Sequence, residues 1–109
     1  MPFIDTHALP AVEKRPGWVG RIFSSPSMTF AHWDFAAGST IHEHHHVQEE
    51  VWHILEGELE VTIGDAAPVR AGPGMVAMIP ADTPHRVTAL SDGRAIVVDH
   101  PLREGFAEV

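Results

Sequence analysis

GSTIHEHHHVQEEVWHILEG, residues 38–57, holds Gly38, His44, His46, Glu50 and Gly57 in a fixed spacing: Gly, five residues, His-x-His, three residues, Glu, six residues, Gly. Residues two apart on a strand share a face, so His44 and His46 point the same way. Glu50, four positions on, returns to that face as the strand continues. Two neutral imidazoles and a carboxylate converging there suit a divalent transition-metal ion rather than calcium or magnesium. Gly, His and Glu each occur nine times in the 109 residues. A chance match at five fixed positions is then expected only about 3 × 10⁻⁴ times per chain, so accident is a poor explanation.

A second motif overlaps the first. His42-Glu43-His44-His45-His46 satisfies H-E-x-x-H, the zinc-peptidase signature. That signature works on a helix, where its histidines lie one turn apart with the Glu as general base. Here Val51, Trp52, Ile54 and Leu55 favour strand, and Gly38 and Gly57 punctuate both ends. The peptidase reading lacks its structural context.

Downstream stand Gly74 and, after five intervening residues, Pro80, followed by Asp82-Thr83-Pro84-His85. His85 adds a donor from a different strand and completes a set of three histidines and one carboxylate. The two segments resemble the two motifs of the cupins, over roughly residues 27–100. The resemblance implies an all-β fold, the double-stranded β-helix or jelly-roll barrel. It also implies His44, His46, Glu50 and His85 as ligands of one divalent transition-metal ion per chain, whether Mn, Fe, Ni, Zn or Cu. The first motif matches at every defining position. The second has Asp82 where the family usually has Gly, and Ala89 where it usually has Asn. The latter makes one pocket wall smaller and less polar.

A chain of 109 residues predicts one domain with a single core. Seven basic against fifteen acidic residues give a net charge of −8, which argues against nucleic acid or an anionic membrane as partner. The lack of cysteine excludes disulfides and thiol catalysis and fits a reducing, cytoplasmic setting. Residues 1–6 show no signal-peptide pattern, and no apolar run approaches 18 residues.

Glycines and prolines are scattered, punctuating many short segments. Residues 1–16 read as an irregular arm, with Pro10 and Pro16 discouraging helix. Strand-like runs follow at 18–23, 28–35, 50–55, 58–63, 69–70, 76–79, 85–90 and 94–99, a spacing that predicts a sandwich or barrel. Parity with Glu50 sends Trp52 and Ile54 inward and Val51, His53 and Leu55 outward. That outward stripe is more apolar than solvent favours and predicts a subunit contact, and the family resemblance implies a homodimer. Parity with His85 places Val87 and Ala89 on the same wall. It also sends His42 inward with His44 and His46, and His45 outward. His7, His32, His53 and His100 read as structural histidines, His32 being the one with an alternative place at the pocket. The three tryptophans read as core, Trp52 being the best placed to line the pocket.

At the C-terminal end, Ile96, Val97 and Val98 make an apolar strand that Asp99 closes, so its carboxylate sits near the barrel mouth as a candidate general base. The run Asp99-His100-Pro101-Leu102-Arg103 resembles the tail of the small cupins that open the ring of unsaturated uronates. The resemblance implies catalytic roles for Asp99 and Arg103 beside the metal. That group tends to have Gln where Glu50 stands, and spaces its Asp and Arg further apart. Two function classes follow for a small-molecule ligand. One is a metalloenzyme acting on a small anionic or sugar-derived substrate, by dioxygenation, isomerisation or ring opening. The other is a non-catalytic binding module in which the metal is structural or only positions the ligand. An inward Asp99 favours the first and an outward Asp99 the second.

Overall fold

The computed structural model describes residues 3–106. After a 3-10 turn at Thr6–Ala8, ten strands follow: β1 Val12–Arg15, β2 Trp18–Ser24, β3 Thr29–Phe35, β4 Thr40–His44, β5 Glu49–Glu56, β6 Leu59–Ile63, β7 Val69–Ala71, β8 Val76–Ile79, β9 His85–Ala89 and β10 Gly93–His100. They form a six-stranded sheet, ordered β1-β2-β3-β10-β5-β8, and a four-stranded sheet, ordered β4-β9-β6-β7. Every pairing is antiparallel. The fold is all-β, a jelly-roll barrel, as the motifs imply. No helix among the described residues is long and apolar enough to cross a membrane.

Alternation builds the interior. Thr29, Ala31, Trp33 and Phe35 of β3, Glu50, Trp52 and Ile54 of β5, His85, Val87 and Ala89 of β9, and Ala95, Val97 and Asp99 of β10 are all buried. Trp18 sits at the centre of an aromatic cluster, edge-on to Trp33 (6.1 Å) and Trp52 (5.9 Å) and tilted against Phe35 (5.3 Å). Edge-to-face pairs of this kind add about 0.5–1.5 kcal/mol each beyond their area burial.

The motif glycine Gly57 has φ +78, and a Cβ there would run into the Asp92 carbonyl. Both its conformation and its lack of room call for glycine. At Asp82, where the family usually has glycine, the backbone keeps a left-handed φ of 56. Asp is among the few non-glycine residues that tolerate this. Its N–H donates to the His46 carbonyl at 2.8 Å, tying the second motif to the first.

Two strands depart from the sequence reading. The segment expected to be an irregular arm ends in β1, which pairs with β2 and extends the barrel to Val12. Pro10 and Pro16 exclude a helix there but leave four residues between them free to pair. β4 lies in the motif segment to which strand parity was applied, but it is not among the strand-like runs because its polar residues show no apolar alternation.

Candidate metal centre

The first motif is carried by β4, the loop after it and β5. β4 faces β9 with Ile41 opposite Val87 and His44 opposite His85, so three steps along β4 match two along β9. This β-bulge holds one extra residue. Ile41 and His44 therefore both line the cavity although they are an odd number apart, while His42 and Glu43 are exposed. Parity had placed His42 inward, and the bulge overturns that. Its Nδ1 instead lies 3.0 Å from Arg15 Nη1. His45 is exposed, as expected.

His44, His46 and His85 each offer a ring nitrogen within 4.8 Å of the others, and His46, Glu50 and Asp99 form a second set on the same criterion. Glu50 Oε2 is 3.2 Å from His46 Nε2, and its Oε1 is 3.3 Å from His85 Nε2. The four expected donors thus converge. The outer nitrogens are equally ordered: Nδ1 of His44 lies 2.9 Å from the His42 carbonyl, Nδ1 of His46 3.1 Å from that of Gln48, and Nδ1 of His85 2.8 Å from that of Thr83. A carbonyl oxygen only accepts, so each Nδ1 carries the proton and each Nε2 presents its basic face to the cluster. Trp52 Nε1 donates to Glu50 Oε1 at 2.7 Å and holds the carboxylate plane. Such outer contacts are the usual means by which a protein orients metal-binding side chains. The donor set fits a borderline divalent ion.

Asp99 is 2% exposed and lies directly across from Glu50 (3% exposed) in the β5–β10 pairing. Like charges in that position repel. Burial and the neighbouring Glu50 carboxylate accordingly push Asp99 up to about 8. Burial opposes ionisation of Glu50 too, but the neighbouring rings of His46 and His85, together with Asp99 and Trp52, outweigh it and hold this carboxyl well below the usual range. Burial lowers His44. For His85, burial is outweighed by Glu50 and the Thr83 carbonyl, and the net shift is upward. Arg103 Nη1 approaches Asp99 Oδ2 (3.5 Å) and Glu50 Oε2 (3.8 Å). It reaches them because the segment after β10 folds back: Gln48 Nε2 donates to the Leu102 carbonyl (3.3 Å) and the Arg103 N–H to Thr29 Oγ1 (3.0 Å).

The structure thus gathers His44, His46, Glu50, His85, Asp99 and Arg103 into one cluster, of which His44, Glu50, Asp99 and Arg103 line a cavity, and leaves His42 and His32 outside it. His32 sits on the outer face of the six-stranded sheet, its ring edge-on to Phe23 and beside Arg21 and Arg94. All three tryptophans line the cavity as well as the core. Sequence reasoning missed Lys14, Arg15 and Phe106, which also line it. The pair Lys14-Arg15 between two prolines is the only local signal.

A jelly-roll barrel with histidines and a carboxylate gathered in its cavity defines a recognisable class of protein. The profile described as the cupin domain matches residues 31–101, and the chain belongs to the cupin family. No curated protein matches the sequence. Among solved structures, an RmlC-like cupin from Shewanella frigidimarina is 20% identical, with a TM-score of 0.89 over 97% of this chain and 96% of that one. KdgF from Halomonas is 23% identical, with a TM-score of 0.87 over 95% and 96%. The oxalate decarboxylase of Bacillus subtilis, which has Mn(II) centres, is 21% identical, with a TM-score of 0.72 over 78% of this chain and 26% of that one. At these identities the likeness is one of fold.

Proposed function

We propose that the protein is a metal-dependent enzyme for a small anionic or sugar-derived substrate, with ring opening, isomerisation or dioxygenation as the reaction class. The observation that carries this reading is the set of three Nδ1–carbonyl contacts, which leave three Nε2 atoms and Glu50 aimed at one point. His44, His46, Glu50 and His85 would hold one divalent ion, which when bound supplies Lewis-acid polarisation of a substrate oxygen.

The chain's own residues supply the proton chemistry. Asp99, raised to about 8, is poised to hold or release a proton near neutral pH. Its Oδ1 is buried and has no hydrogen-bond partner among the described residues, and the side chain lines the cavity. Arg103 supports the anionic end of the substrate and limits the charge that Glu50 and Asp99 place together. This inward carboxylate favours catalysis over a purely binding role. The test is to load the metal-free protein with Mn, Fe, Ni, Zn or Cu in turn and to assay unsaturated uronates and dioxygen uptake. Turnover with at least one metal, lost in Asp99→Asn at unchanged metal content, is the expected result. Tight binding of a small molecule without turnover, or full activity in Asp99→Asn, would favour the binding module.

We also infer self-association through the outer face of the six-stranded sheet. Phe23, Phe30, Val98, Val51 and Met78 lie side by side across β2, β3, β10, β5 and β8, and Met78 is 70% exposed. Of the stripe expected from parity, Val51 belongs to this apolar row. The Arg94–Asp34 and Arg94–Glu56 ion pairs lie on the same face. A paired assembly of this 11.9 kDa chain would double its mass in light scattering. A monomer mass that Met78→Lys leaves unchanged would refute it.

A further inference from the structure

The chain has seven Lys and Arg residues against fifteen Asp and Glu. Three of those seven, Lys14, Arg15 and Arg103, line a cavity of about 150 Å³ that borders the His/Glu cluster at His44 and Glu50. Arg103 is engaged with Asp99 and Glu50. The other two come from β1, the edge strand on the opposite margin of the sheet from β8. Adjacent residues on a regular strand point to opposite faces. Here the register slips between Glu13 and Arg15, which face Val19 and Trp18, so Lys14 is an extra residue in the pairing. The bulge lets both cations line the cavity. Arg15 Nη1 sits 3.0 Å from His42 Nδ1. An arginine only donates, so that nitrogen is unprotonated and the contact leaves the guanidinium charge uncancelled. Lys14 Nζ is 5.4 Å from the Phe106 ring centroid, and Arg103 Cζ is 4.0 Å from the same centroid. Trp18, Trp33 and Trp52 supply the apolar wall.

From this arrangement we infer that the cavity takes a small dianion: one anionic group lies with Arg103 beside the His/Glu cluster, a second with Lys14 and Arg15, and a flat or apolar carbon body rests on the indole wall. The inner half rests on the metal-enzyme reading above, whereas the subsite of Lys14 and Arg15 stands apart from it. A second charge-assisted contact in a partly desolvated cavity is expected to favour a dianion over a matched monoanion by about 10- to 100-fold.

Intrinsic fluorescence reads the cavity directly, since it contains all three tryptophans of the chain. Metal-loaded and metal-free protein would be titrated at fixed ionic strength with dicarboxylates from oxalate to adipate, and with monocarboxylates of equal carbon count. The expected result is a preference of about 10- to 100-fold for at least one dicarboxylate. That preference should vanish in the Lys14→Met/Arg15→Met double variant, which keeps its monocarboxylate affinity and metal content, and persist in Lys14→Arg/Arg15→Lys. Equal binding of both series, a preference that survives the double Met variant, or no binding of either overturns the inference. If the protein takes up no metal yet shows a preference dependent on Lys14 and Arg15, the metal reading fails and the dianion subsite stands. Stoichiometric metal without the preference removes the dianion subsite and leaves the metal reading in place.

Discussion

Around the His/Glu cluster the inward face of β5, β9 and β10 follows plain alternation, whereas β1 and β4 reach the cavity through bulges. The one register shift of β10 against β5 lies at its far end, between Arg94 and Ala95. On the first wall every second residue faces inward: Glu50 and His85 fall where parity puts them, and Asp99, whose direction the sequence left open, is inward too. On the second wall an extra residue breaks the count, so that His44 enters and His42 leaves, and Lys14 and Arg15 line the cavity together. A regular strand commits alternate residues to the core, which suits a wall that must also pack Trp52, Ile54, Val87 and Val97. A bulge re-aims single polar side chains without disturbing the strands on either side.

The contrast is open to attack from both walls. On the regular wall the largest effect belongs to Asp99→Asn. Removing a positioned proton carrier costs about 10²–10⁴ in rate, so turnover on any substrate found should fall by that factor with metal content unchanged, as a steady-state assay with elemental analysis would show. His46→Ala comes next, since His46 belongs to both donor sets. Sharing the roughly 10–16 kcal/mol of a typical four-ligand site equally assigns about 3 kcal/mol to each donor, or on the order of 10²-fold in metal affinity. Calorimetric titration of a divalent metal measures it. Trp52→Phe keeps an aromatic ring but removes the N–H that holds Glu50 Oε1. The expected loss of metal affinity is about 10- to 100-fold, as for other partners that orient ligands.

Proton competition gives a smaller and graded effect. The imidazole of His85 is raised, so it retains its proton to higher pH than an ordinary histidine. A metal ion must displace that proton. Metal affinity should therefore rise with pH and level off above the His85 pKa. Below it, affinity should fall by about tenfold per pH unit for each proton released. A titration series showing affinity flat across this range would count against the assignment of His85. The smallest effect is expected at His42→Ala. The β4 bulge turns this residue away from the cluster, so metal affinity should change by less than about twofold, within the range of surface substitutions. A loss comparable to that of His46→Ala would restore the parity reading and leave the bulge without a role in aiming the ligands.

What the sequence made legible follows the same division. The direction of Asp99 on β10 stayed open until its strand was placed, whereas the alternating inward residues of β5 and β9 and the convergence of His44, His46, Glu50 and His85 were readable because period-two counting works on regular strands. The β4 bulge was not, since Ile41, His42, Glu43 and His44 show no sign of an extra residue until β9 is laid beside them. β1 was hidden by its flanking prolines, and with it the two cations, Lys14 and Arg15, that line the cavity. Phe106 reaches the cavity only because the segment after β10 turns back, through contacts made with Gln48 and Thr29 far away in sequence. Local patterning carries the regular wall, and long-range pairing decides the bulged one.

Whether the four converging donors hold a metal is decided by elemental analysis of untagged protein purified without imidazole. About one equivalent of a divalent transition metal per chain is expected for a single set of three histidines and one carboxylate, retained in His42→Ala and lost in His85→Ala. Protein that is metal-free as purified, and takes up none on dialysis against Mn, Fe, Ni, Zn or Cu, would overturn the metal centre.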